Sequence, residues 1–207
     1  HFSNPLWVDD PRIGCPEGVT ESYLCGWHHP EGADAIIEEI AEHARMLGKR
    51  FGDRVDDWVT VNEPINYLVA SYGVGFFPPG RSLLLTDFPT FMNVLKNYIR
   101  AHVAIYDALK ESDTIDADGD GIAASVGFTL NVVEWTPTRD NEVSDHPEDV
   151  AAKDRVAYVY HHLFVESLMQ GAFDADIDQV FEDEQPNWAG KLDWLGVQYY
   201  SRISVTG

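Results

Sequence analysis

Apolar and polar positions along the chain alternate between two periods. Over residues 33–51, Ile36, Ile40, Ala44, Leu47 and Phe51 fall on one stripe, which predicts a helix. Trp58-Val59-Thr60-Val61 then reads as a strand. Residues 87–110 carry Phe88, Phe91, Leu95, Ile99, His102, Tyr106 and Leu109 at helical spacing. Residues 122–133 are rich in strand formers. Residues 148–170 predict one continuous helix, opened by Pro147 and closed by Gly171. Leu192-Asp193-Trp194-Leu195-Gly196-Val197 reads as the last strand. Strands alternating with helices imply right-handed βαβ crossovers and a parallel sheet, buried on both faces.

The polar residues near these strands then fall in register. His1-Phe2 finishes a strand, Asn62-Glu63 ends the next, Asn131 lies near the end of the third, and Gln198-Tyr199-Tyr200 ends the fourth. Polar groups at successive strand C-termini are what a (β/α)8 barrel presents to its substrate. An open doubly wound sheet also places its site there. Against that alternative, no strand is followed by G-x-G-x-x-G, and G-x-x-x-x-G-K-[ST] is absent. The length, 207 residues, suits one domain, 1–207, and the absence of repeats agrees.

Charge changes the picture of partners. The chain holds 35 acidic residues against 14 Lys and Arg, a formal net charge of -21. Nucleic acid and anionic membrane surfaces need the opposite sign, so neither is expected as a partner. No apolar run approaches the roughly 20 residues of a membrane span. Such acidity keeps a protein soluble and is well screened in a salt-rich setting.

The candidate chemistry centres on Glu63, held between Asn62 and Pro64. Pro64 disfavours the α region for the residue before it, so Glu63 is expected on extended backbone at the strand tip. A carboxyl among apolar strand walls suits a general acid. Asn62 both donates and accepts, as a sugar hydroxyl requires. The structural alternative is a Glu that caps the next helix or pairs with an Arg.

The surroundings of Asn62-Glu63-Pro64 resemble glycoside hydrolase family 1, the β-glucosidase family. His1-Phe2 followed by Pro5-Leu6-Trp7 resembles one of its strand ends. Phe51-Gly52-Asp53-Arg54-Val55 leads into the strand as in that family. Tyr72-Gly73, Gly75 and Pro78-Pro79-Gly80 follow at the family's spacing. Pro147-Glu148-Asp149 through Gly171 resembles its next long helix, and Asp193 to Ser201 resembles its Asp-hydrophobic-Gly-hydrophobic-Asn-Tyr-Tyr-Ser strand.

The resemblance implies a (β/α)8 TIM barrel of which this chain is an incomplete portion, about half, covering barrel strands three to six. It implies a retaining β-glycosidase, most simply a β-glucosidase acting on β-glucosides, with no cofactor and no metal. Glu63 matches the general acid/base. His1 matches the histidine that binds glycone hydroxyls, and Asn62 the asparagine on the 2-hydroxyl. Tyr200 matches the tyrosine that hydrogen-bonds the nucleophile, and Asn131 a strand-end asparagine near the aglycone. Gln198 departs from the family's asparagine by one methylene. His161-His162 departs from its usual Asn on the helix. The family's nucleophile is a second glutamate in a Thr-Glu-Asn-Gly strand, which does not occur here. Both ends look cut, and by the family's order that strand would follow Gly207. The isolated chain is therefore expected to be inactive. The competing classes are a non-catalytic sugar-binding barrel and a degenerate half barrel.

Other residues carry weaker signals. Asp116, Asp118 and Asp120 followed by Gly121 resemble the opening of a calcium loop, but position twelve is Gly127 and the simpler reading is a solvated acidic turn. His161 and His162 point about 100° apart on a helix and cannot easily share an ion. Of Trp27, Trp135, Trp188 and Trp194, one or two are expected near a sugar. Cys15 and Cys25 are either two free thiols or one disulfide, and the second option favours a periplasmic or extracellular location. The sequence leaves the oligomeric state open.

Overall fold

The computed structural model describes residues 4–15 and 17–207, so the expectation for His1 lies outside the described residues. The first described stretch is irregular. A disulfide joins Cys15 to Cys25 with their Cα atoms 5.4 Å apart, which decides between the two cysteine readings. Helix α1 (Pro30–Phe51) starts earlier than its apolar stripe. Pro30 supplies a preset φ at the first turn, and the His29 ring accepts from the Gly32 N–H.

Strand β1 (Asp57–Asn62) leads directly into the short helix α2 (Pro64–Leu68) and a π turn at Val69–Gly73. A loop and the single turn α3 (Leu83–Thr86) precede α4 (Phe88–Ser112), capped by the Asp87 carboxylate on the Thr90 N–H. The predicted face of α4 is the buried one, including Phe91, Leu95, Ile99, His102, Tyr106 and Leu109. Strand β2 (Ser125–Arg139) runs further than expected and turns back through β3 (Glu142–Val143).

The segment expected as one helix is divided into α5 (Pro147–Ala157), a π turn (Tyr158–His162) and α6 (Leu163–Gln170). No Pro or Gly causes the break. The wide turn brings Tyr160 and His161 onto β2, where Tyr160 packs on Trp135 and the His161 Nε2 accepts the Val133 N–H at 3.1 Å. Gly171 closes α6 in the left-handed region, as its position predicts. The short hairpin β4 (Ala172–Phe173) and β5 (Asp183–Glu184), then a 3-10 turn at Pro186–Trp188, lead to β6 (Trp194–Val205).

Strands β1, β2 and β6 form a parallel sheet in that order. Alternate residues of β2 divide between its faces. Val126, Phe128 and Leu130 are buried toward the helices, with Phe128 against His102 and Phe164. Gly127, Thr129 and Asn131 point the other way. A Cβ at Gly127 would meet the Trp194 indole at 2.5 Å, so glycine is what lets that ring lie across the strand.

Two anchors fix the strands to the helices. Asp193, just before β6, accepts from the Val126 N–H at 2.8 Å and the Tyr106 hydroxyl at 2.9 Å, and pairs with Lys110 at 2.6 Å. Burial pushes its carboxyl up, but these donors outweigh burial and leave it below the usual carboxylate range. Asp149, opening α5, is fully buried. It takes a two-pronged bond from Arg139 at the end of β2 and further donors from Ser144 and Gly207. The Arg139 contact above all holds its carboxyl far below the ordinary value.

Candidate active site

The predicted residues come together where β1 ends beside β2 and β6; Asn131 and Gln198, expected near strand ends, lie within β2 and β6, which run on to Arg139 and Val205. Asn62 is the last residue of β1 and lies in register with Thr129 on β2. Asn131, two residues on, is in register with Gln198 on β6. Asn131 and Gln198 therefore stand side by side two residues beyond the level of Asn62 and Thr129, and Tyr200 follows on β6.

Glu63 follows Asn62 at the β1 tip and is only 8% exposed. The expectation of extended backbone is corrected here, because Glu63 has φ 46° and ψ 61°, in the left-handed region. Its N–H donates to the Thr129 carbonyl at 2.9 Å and continues the ladder, while its carbonyl accepts from the Tyr67 N–H at 3.1 Å and starts α2. One residue thus turns strand into helix. Pro64 disfavours the right-handed α region for Glu63, and the left-handed region makes the turn possible at a cost of about 1–3 kcal/mol. The Glu63 side chain makes no helix cap and no arginine pair among the described residues, so neither structural alternative applies.

The Glu63 carboxylate is held from one side. Asn66 donates its Nδ2 to Glu63 Oε2 at 3.0 Å. An amide N–H only donates, so Oε2 is engaged as an acceptor and Oε1 is left without a hydrogen-bond partner among the described residues. Tyr160 lies close enough that the Glu63 charge, after burial, raises its phenol above the usual value. Tyr160, Trp135 and His161 form one aromatic group, with Trp135 and Tyr160 edge-on at 5.0 Å. Two buried polar atoms on β2 have no hydrogen-bond partner, Asn131 Oδ1 and Trp135 Nε1.

Asn62 sits in a polar chain. Its Oδ1 accepts from Thr129 Oγ1 and from Gln198 Nε2, both at 2.9 Å. Gln198 Oε1 in turn accepts from the Tyr200 hydroxyl at 2.8 Å.

Asn66, Thr129 and Tyr160 escaped the sequence reading. Thr129 was legible in principle, since it lies two residues before Asn131 on the same strand face. Asn66 stands three residues after Glu63, the spacing that meets on one helical turn. Tyr160 depends on the π turn, which has no sequence signal here.

Other candidates separate from this site. Trp27 and Trp188 are buried core residues, and Trp135 packs on Tyr160. His162 pairs with Glu166, whereas His161 accepts from the Val133 N–H. Asp116 accepts from Gly119, Asp120 and Gly121 N–H groups, and Asp118 and Asp120 cap their own turns. Asp56 joins Asp116 and Asp118 with ligand oxygens within 4.8 Å, and Asp174, Asp176 and Asp178 do the same elsewhere. The first group lies at the start of β1, the opposite end of the sheet from Glu63.

A parallel α/β sheet with a shielded carboxyl at the tip of one strand and amide side chains on that strand and its neighbours defines a portion of a barrel-type enzyme site. The model of glycosyl hydrolase family 1 matches residues 15–206, and the chain belongs to that family. A β-galactosidase of Pyrococcus woesei is 32% identical over the whole chain and 38% of its own length. β-Glucosidase 40 of Arabidopsis thaliana is 27% identical over 90% of the chain and 37% of its own length. The family 1 β-glucosidase of Thermotoga maritima superposes with a TM-score of 0.67 at 24% identity, covering 86% of this chain and 38% of that one. The chain therefore spans a little over a third of the length of these relatives. Its fold is a portion of the (β/α)8 barrel, and the sheet formed by the described residues does not close.

Proposed function

We propose that the chain is the acid/base-bearing central part of a retaining β-glycosidase, with β-glucosides as substrates. The observation that carries this reading is Glu63, shielded at the tip of β1 beside Asn62, with one carboxyl oxygen held by Asn66 and the other unengaged among the described residues. In the forward step, Oε1 of neutral Glu63 gives its proton to the glycosidic oxygen as the bond to the anomeric carbon breaks. A second carboxylate, outside this chain, attacks that carbon from the opposite face. Glu63 then takes a proton from water as the water displaces the enzyme carboxylate. Asn62 holds the 2-hydroxyl, and Asn131 the aglycone side. Tyr200 hydrogen-bonds the second carboxylate, and His1 binds glycone hydroxyls. The disulfide suits an oxidising compartment, so the location is taken as periplasmic or extracellular.

Proton donation matters most where the leaving group is poor. In the full-length enzyme, Glu63→Ala should lower kcat on an alkyl β-glucoside by about 10²–10⁴-fold and affect dinitrophenyl β-glucoside far less. Equal losses on the two substrates would refute the acid role. A wild-type enzyme that turned over neither aryl β-glucoside nor aryl β-galactoside would refute the glycosidase reading.

A further inference from the structure

Strands β1 and β2 separate just after Asn62. The Glu63 N–H bonds to the Thr129 carbonyl, and the chain then turns away into α2, while β2 runs on to Arg139. Residues two apart on a strand direct their backbone groups to the same side. The Val133 N–H, four residues after Thr129, therefore points to the side that β1 has left. Strand β6 has no residue in register with Val133 either, because the pairing slips between Val132 and Glu134. Val133 is 3% exposed, and a buried N–H without an acceptor is costly. The gap is internal to the sheet and not one of its open edges.

The acceptor comes from the helix side. His161 Nε2 takes the Val133 N–H at 3.1 Å, brought there by the π turn at Tyr158–His162. A backbone N–H can only donate, so the direction of this bond is fixed. Nε2 carries no proton, the ring is neutral, and its one proton sits on Nδ1. Protonation would set a second N–H against the first and break the contact. The charged and titratable groups around this turn are His162, paired with Glu166 at 3.4 Å, Tyr160, Glu63 through its charge on Tyr160, and Glu134 on β2, held by Arg202 at 2.8 Å. Burial first, and His162 second, keep the His161 pKa below the ordinary 6.5. The tie is therefore closed at neutral pH and opens only at a pH below 6.5.

We propose that His161 is a positioning residue whose neutral ring takes the place of the departed β1, ties the π turn to the stretch of β2 between Asn131 and Trp135, and releases it when protonated, so that the aglycone side of the site loosens in acid. The tie itself goes beyond the glycosidase reading. Only its kinetic readout, through Asn131, rests on that reading.

The first test needs no turnover. In 15N-labelled full-length enzyme, with the His161 ring signals assigned by their disappearance in His161→Gln, the ring should carry its proton on Nδ1 at neutral pH, and its titration should move the Val133 amide signal. A neutral ring protonated on Nε2, or a Val133 amide indifferent to the titration, would overturn the proposal whatever the substrate.

The second test is kinetic. His161→Gln offers an amide oxygen that accepts the same N–H and does not titrate, whereas His161→Phe keeps a ring and has no acceptor. At about pH 7.5, His161→Gln should match the wild type within about twofold in KM for an aryl β-glucoside, and His161→Phe should stand about two- to tenfold higher, the loss of one neutral hydrogen bond. Toward about pH 5 the wild-type KM should approach that of His161→Phe, and His161→Gln should not follow. Comparing the variants cancels every titration they share, Glu63 included, and His161→Gln carries the test alone if His161→Phe does not fold. The same acid rise in KM for wild type and His161→Gln would overturn the proposal. A wild-type enzyme inactive on the glucoside would instead remove the glycosidase reading and leave the first test to decide.

Discussion

At the scale of single residues, the same pair of side chains means different things by burial. Asp9 is fully buried, bonded to Arg81 at 2.7 Å and to the Tyr72 hydroxyl at 2.8 Å. It ties the irregular N-terminal stretch to the loop after α2. Asp10, its neighbour, pairs instead with the exposed Arg12. Asp9→Ala leaves a guanidinium and a buried hydroxyl without their partner and should cost about 3–5 kcal/mol in denaturant unfolding. Arg12→Ala should cost less than about 1 kcal/mol. Similar small losses for both would show that the Asp9 cluster carries no structural weight. Sequence gave no hint of this difference, because Asp9 and Asp10 are adjacent and alike in type. Glu63 was legible from Pro64 and the strand before it, whereas its left-handed backbone was not. The rule for the residue before proline ranks regions by average preference, and here the strand ladder and the start of α2 outweigh that preference.

At the scale of elements, what was legible was what repeats. The stripes on α1 and α4 and the apolar strand runs appear at their predicted places because burial selects them one turn or one pleat at a time. What failed is local and unrepeated, such as the π turn between α5 and α6 and the extension of β2 past Val133. The fully buried His102 shows how an apolar stripe can hide a polar tie. Its Nε2 faces the Lys191 carbonyl, which only accepts, so the ring proton sits on Nε2 and Nδ1 accepts from Thr60. The ring thereby links α4 to β1 and to the approach of β6. Burial lowers its pKa to about 4, against an ordinary 6.5. The folded value lies below the unfolded one, so the neutral ring stabilises the fold above pH 6.5, and this stability is lost as pH falls toward 4. The loss amounts to about 3 kcal/mol. Thermal unfolding followed from pH 7 to pH 4 should show this acid slope, and His102→Gln should flatten it. An unchanged slope would show that other groups carry the acid sensitivity.

At the scale of the whole molecule, the two faces of the sheet are finished to different degrees. Phe128 and Leu130 on β2 are buried beneath helices. Their register partners on β6, Leu195 and Val197, and then Tyr199, are 38%, 64% and 60% exposed. Those three positions point to the helix-covered side of the sheet, and no helix among the described residues covers them. A barrel supplies that cover from neighbouring βα units, and a chain spanning 38% of its family relatives supplies only some of them. An uncovered apolar strand face at a sheet edge also offers unpaired backbone groups, a combination that promotes association. The net charge of -21 opposes close approach of copies at low salt, and this opposition weakens as the Debye length shrinks from about 30 Å at 0.01 M to about 3 Å at 1 M. Residues 1–207 expressed alone should therefore run near monomer size at low salt and self-associate at high salt, and should turn over no aryl β-glucoside. Replacing Val197 and Tyr199 with Thr and Lys should suppress the association without restoring activity. Size-exclusion chromatography at the two ionic strengths checks the first point. Glu63-dependent turnover by this segment would show that the second carboxylate of the retaining mechanism lies within it, and would overturn the reading of the site as one part of a larger barrel.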